Sequence, residues 1–140
     1  MKATIAHDFD GTLFDTAREV YNRVKETWQE VYKSEYPFDY QTYLHRIRSR
    51  ISTAEEIFAI SHAILENIAI PKVLGKEMKY FRSEFRTGLA DEMFYRFRKE
   101  MIENDEAGWL DEQEPYEGIE TMLQELRSMD IISSIVSSKD

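Results

Sequence analysis

Two carboxylates, Asp8 and Asp10, stand two residues apart just after an apolar stretch (residues 2–8) and just before Gly11. An apolar run closed by a turn residue reads as a buried parallel strand, and ligands of open parallel sheets bind beyond the carboxyl ends of strands. A carboxylate placed there can attack phosphorus and form an aspartyl-phosphate. A second carboxylate can protonate the leaving oxygen and later deprotonate water. Two anions crowded beside a phosphate need a cation, and hard oxygen ligands suit Mg²⁺. A bare Asp-x-Asp followed by Gly would be read as a plain turn. The ten-residue string from His7 to Thr16, set after an apolar strand, favours the site.

The elements that must position these groups follow from periodicity. Thr16 to Glu19 has the form of a capping box, with the Thr16 hydroxyl taking an orphan N–H and Glu19 reaching back. Ala17, Val20, Tyr21, Val24, Trp28, Val31 and Tyr32 then recur at helical steps, and Pro37 marks the latest end of that helix. Asp39 is placed to cap a second helix with Tyr40, Tyr43, Leu44, Ile47 and Ile51 on one side. Ser52 to Glu55 reads as another capping box, opening a helix through Ile57, Phe58, Ile64, Leu65 and Ile68. Two more helices are expected over residues 76–86 and 89–103, parted near Gly88, then an acidic loop over 104–114. A short helix over 118–129 leads into a second apolar strand at 131–136. The pattern is strand, helices, helix, strand: an α/β core at residues 1–15 and 111–140, interrupted by a helical insertion at 16–110. A connection that long needs structure of its own.

Composition narrows the class. With 140 residues and no cysteine, the chain has no disulfide framework, thiolate metal site or Cys nucleophile. No apolar run approaches the roughly 20 residues of a membrane span, and no signal-like segment follows Met1, so a cytoplasmic protein without a membrane partner is expected. The net charge of −9 argues against a broad nucleic-acid footprint. It is uneven: residues 16–103 carry 15 basic and 14 acidic groups, whereas 100–120 hold nine carboxylates and no Lys or Arg. That acidic run reads as a solvated connector. The concentrated basic patch is His45 to Arg50, where Arg48 and Arg50 could meet an anionic substrate, though a solvated helix face fits the same residues. Arg interleaves with aromatics at Phe81–Arg82, Phe85–Arg86 and residues 94–98. At helical spacing this is a core stripe with a basic rim rather than a nucleotide-stacking surface. His7 and His62 are read as packed or capping residues.

The string from His7 to Thr16 resembles the first motif of the haloacid dehalogenase-like hydrolases, a superfamily dominated by phosphatases: an apolar strand, then Asp-x-Asp-Gly-Thr-Leu. The resemblance implies that Asp8 is the nucleophile and Asp10 the general acid/base. It also implies Mg²⁺ held by the Asp8 carboxylate and the Asp10 backbone carbonyl. An aspartate at Asp10 looks like the phosphatase and phosphomutase branches. The family's second motif is a Ser or Thr ending the next core strand, where it binds phosphate; Ser137, with Ser138 beside it, fits after the strand at 131–136. The helical insertion looks like the family's all-α cap, a lid that reads the part of a small phosphorylated substrate away from the phosphate.

The chain also departs from that pattern. The family's third-motif Lys and fourth-motif acidic pair lie well beyond the second motif, and this sequence stops three residues after Ser137. Lys139 is too close to Ser137 to serve as the third motif. The expectation is a partial core with an unpaired strand edge, completed by a missing C-terminal segment or a homo-oligomer, or else an inactive fragment or binding module.

Overall fold

The computed structural model describes residues 2–8, 13–71 and 74–136. The contacts divide the chain into two compact units, Met1–Glu19 with Ala107–Asp140, and Val20–Glu106.

The first unit is built on a parallel pair of strands. β1 (Thr4–Asp8) lies beside β4 (Ile132–Val136) in a register running from Thr4 opposite Ile132 to Asp8 opposite Val136. The expected strands are thus adjacent and parallel, as an α/β core requires. Short β2 (Phe14–Asp15) pairs antiparallel with β3 (Glu114–Pro115), and the Tyr116 N–H donates to the Leu13 carbonyl. The helix over Ile119–Ser128 returns the chain to β4, as the sequence predicts. It stops because Asp130 turns left-handed at φ 58°, and the Ile131 N–H bonds back to the Leu126 carbonyl. The strands have the composition of a buried pair, but Ile5, Ile132, Ile135 and Val136 are all exposed. Two strands side by side share an edge, not a face, so neither covers the other's side chains.

The second unit is helical and holds the main apolar core. α1 (Ala17–Tyr32) begins in the first unit and buries the predicted stripe through Tyr21, Val24, Trp28 and Val31. The next helix is not regular, contrary to the sequence reading. Asp39 does cap it, accepting from the Thr42 N–H at 2.7 Å, and that donor holds the Asp39 carboxyl below its ordinary value. After one short α2 turn (Tyr40–Thr42) the backbone widens to a π turn over Tyr43–Ile47, then tightens to a 3₁₀ turn over Arg48–Arg50. Fully buried Tyr43 and Ile47 anchor the irregular stretch.

α3 (Ala54–Leu65) is the centre of the unit and is buried without a break from Ile57 to Ala63. Its capping box falls one residue later than the sequence suggested: Thr53 is the cap and Glu56 the reciprocal carboxylate. Glu55 is engaged elsewhere. It takes a two-pronged bond from Arg82 (2.7 and 2.8 Å) and a third from the Thr87 hydroxyl (3.0 Å), and the Arg82 donors hold its carboxyl below the usual range. α4 (Met78–Phe85) and α5 (Thr87–Asn104) pack on α3. They are parted at Arg86, not near Gly88. Arg86 adopts φ 52° while its guanidinium donates to the Val31 carbonyl at 3.0 Å. The segment expected as an acidic loop contains a further helix, α6 (Glu106–Asp111), whose Trp109 is buried. An indole with a buried acceptor gives that acidic segment an apolar anchor. Continuing the numbering, the return helix is α7.

Candidate functional site

Asp8 is the last residue of β1. The Asp8 side chain is exposed. In a parallel pair both carboxyl ends point the same way. The position opposite Asp8 is Val136, the last residue of β4. The sequence continues from these two ends into Phe9-Asp10-Gly11 and Ser137-Ser138. Asp10, Ser137 and Ser138 lie outside the described residues, so the structure places one of the four expected residues at this end and carries no statement about the others.

The Asp15 carboxylate accepts from the Ala17 N–H at 2.9 Å, starting α1. Glu19, expected to complete a capping box, is fully buried, and its Oε1 accepts from the Trp109 indole at 3.0 Å. Gln113 is buried beside this pair and donates to the Trp109 carbonyl at 3.3 Å. Sequence reasoning missed this network. Its one signal was Trp109, a large aromatic in an otherwise polar, acidic run.

Arg48 and Arg50 lie on the 3₁₀ turn of the helical unit. Arg48 is half-buried and lines a cleft of about 360 Å³ together with Tyr95 and Arg98. Arg50 is exposed and lines a separate cleft of about 610 Å³. Neither makes an ion pair among the described residues. The 94–98 stretch splits as its helical spacing requires: Phe94 is buried, while Tyr95 and Arg96 are exposed.

His62 is packed, as expected. Its ring stacks on Trp28 (centroids 4.6 Å apart) and on Phe85 (4.4 Å), with Tyr32 edge-on. Burial pushes its pKa down to about 4. The same burial pushes up the Tyr32 and Tyr36 phenols; Tyr36 hydrogen-bonds Ser61 at 2.8 Å. Among the described residues no three metal-ligating side chains converge, and no helix is long and apolar enough to cross a membrane.

Among curated proteins no match to the chain is found. The sequence does match the haloacid dehalogenase-like hydrolase family over residues 5–140. That span takes in nearly all of β1, the Asp-x-Asp string that follows it, the helical unit and β4. The chain therefore belongs to the haloacid dehalogenase-like hydrolase family.

Proposed function

We propose that this hydrolase is a Mg²⁺-dependent phosphatase acting on a small phosphate monoester through an aspartyl-phosphate. The supporting observation is the parallel register that ends β1 at Asp8 directly opposite the end of β4 at Val136. It sets Asp8 level with Val136, the residue that precedes Ser137 and Ser138 in the sequence.

In this reading a carboxylate oxygen of Asp8 attacks the phosphorus, and the bond from phosphorus to the ester oxygen breaks. Asp10 gives its carboxyl proton to the departing oxygen, which leaves as an alcohol. The Asp10 carboxylate then takes a proton from water. The water oxygen attacks the phosphorus, releasing inorganic phosphate and restoring Asp8. Ser137 and Ser138 would donate to the phosphoryl oxygens. Arg48 and Arg50, in the helical insertion expected at residues 16–110, would meet a second anionic group on the substrate.

The donor chemistry at the strand end fits Mg²⁺: Asp8 offers an exposed hard carboxylate, and a chain without cysteine has no thiolate to favour a softer ion. The Asp8 carboxylate and the Asp10 backbone carbonyl would hold it. Bound there, the ion supplies positive charge against the phosphate and the two carboxylates.

The test is turnover of a panel of phosphomonoesters with and without Mg²⁺, for the wild type and for Asp8→Asn. Asp8→Asn should lower turnover by about 10⁴-fold or more, as expected for loss of a nucleophile. Acid-quenched wild-type protein should carry one phosphate on Asp8 by mass spectrometry. Wild-type rates in Asp8→Asn would refute the mechanism.

A further inference from the structure

The helical unit carries a cleft lined by Arg50, whose apolar walls the hydrolase reading leaves unused. It has a volume of about 610 Å³, within the usual range of small-molecule sites. Its walls include apolar Ile60, Ile70, Pro71 and Leu74, with Ile60 and Leu74 themselves buried. Among the described residues two charged side chains line it, Arg50 and Glu56. Their states differ. The Glu56 carboxylate is occupied: its Oε2 accepts from the backbone N–H groups of Ser52 and Thr53, closing the cap of α3. Arg50 has no ion pair or hydrogen bond among the described residues and also lines an adjoining cleft of about 300 Å³ with Arg46. Among the described residues, the charge left available at the apolar cleft is therefore positive.

The backbone that presents Arg50 is unusual as well. It follows the π turn Tyr43–Ile47 and belongs to the 3₁₀ turn Arg48–Arg50. π turns inside helices are rare and concentrate at functional sites. Here the irregular stretch is pinned by fully buried Tyr43 and Ile47, so the turn holding Arg50 rests on a packed base.

We propose that this cleft binds a small organic anion, one carboxylate or phosphate-like group on a short apolar body. Arg50 takes the anionic group in a charge-assisted pair, and the Ile60, Ile70 and Leu74 wall takes the apolar body. A bare inorganic anion uses half of the site, and a neutral alcohol uses the other half. The proposal shares Arg50 with the phosphatase reading but goes beyond it, because binding in the helical unit needs neither Asp8 nor turnover.

The test is an NMR titration of the intact ¹⁵N-labelled protein with hexanoate, hexylphosphonate, inorganic phosphate and 1-hexanol. The phosphonate cannot be hydrolysed, so a failure here is separable from a failure of the phosphatase reading. One of the two amphipathic anions, or both, should shift the amides of Ile51, Ser52, Ile70 and Leu74 with a Kd below roughly 1 mM. The tighter of the two identifies the anionic group. Inorganic phosphate and hexanol should each bind at least about tenfold more weakly than the better anion, and Arg50→Gln should weaken that anion by about tenfold or more. Arg50→Lys, which keeps the charge, should recover part of the loss. Equal affinity in Arg50→Gln, hexanol binding as tightly as the anions, shifts confined to other residues, or no binding by either anion would each overturn the proposal.

Discussion

At the scale of single residues, burial decides more than identity. Asp8 and His62 are both titratable groups in an acidic chain, yet one ends an exposed strand and the other is clasped between Trp28 and Phe85. The His62 pKa is pushed down to about 4, below its ordinary value near 6.5. The unfolded chain therefore binds the proton first as pH falls. The contribution of neutral His62 is complete above pH 6.5, is lost as pH drops from 6.5 toward 4, and is level below that. The loss between pH 7 and pH 5 should be about 2 kcal/mol, most of the pKa difference converted at 1.36 kcal/mol per unit. Urea unfolding at the two pH values measures it. His62→Phe keeps the stacked ring and removes the proton site, so its pH dependence over that interval should be smaller by about that amount. A variant with the wild-type slope would assign the acid sensitivity to other groups.

At the scale of elements, the sequence was legible wherever one local pattern acted alone. The α1 stripe from Ala17 to Tyr32 appears as spaced, because apolar periodicity and burial say the same thing there, and the two strands pair as expected although most of their apolar side chains are exposed. It misled where two local signals competed. Ser52-Thr53 offers two hydroxyl caps in succession, and the choice of Thr53 follows from Glu55 being taken by Arg82 and Thr87, partners 27 and 32 residues away. No local pattern contains that information. The π and 3₁₀ turns after Tyr40 were likewise hidden, since Tyr43 and Ile47 keep an ordinary four-residue spacing. Of the candidate site, the strand-end aspartate was legible from the string after β1. The Glu19–Trp109 pair was not, because it spans 90 residues. The break between α4 and α5 gives an element-scale prediction. Arg86 is left-handed at φ 52° without being glycine, which costs about 1–2 kcal/mol. Its guanidinium bond to the Val31 carbonyl returns a similar amount, about 1.5–3 kcal/mol for a charged donor. Arg86→Gly removes both and should leave the unfolding midpoint within about 1 kcal/mol of wild type. Arg86→Val loses the bond and keeps the strain, and should cost about 2 kcal/mol or more. Thermal unfolding of the pair measures the difference, and equal losses in both would show that the left-handed turn carries no strain.

At the scale of the whole molecule, stability is divided unequally. The main apolar cluster runs from Tyr21 to Phe94 and lies wholly within the helical unit. The unit that carries Asp8 rests on two five-residue strands whose apolar side chains are largely exposed, Ile135 by 61%. A two-stranded sheet is marginal by itself. Its amides should open in local fluctuations that leave the helical core closed. Native-state hydrogen exchange should therefore find the α3 interior, from Ile57 to Ala63, protected roughly 10³-fold more than β1 and β4. Phe58→Ala sharpens the test. Phe58 is fully buried in the α3 core, and truncating it should cost about 3–5 kcal/mol. That loss should speed exchange across α3 and α5 and leave β1 and β4 almost unchanged, because their opening does not pass through the helical core. If both units instead lose protection together, the protein opens as one cooperative body, and the strands that hold the candidate nucleophile draw their order from the helices after all.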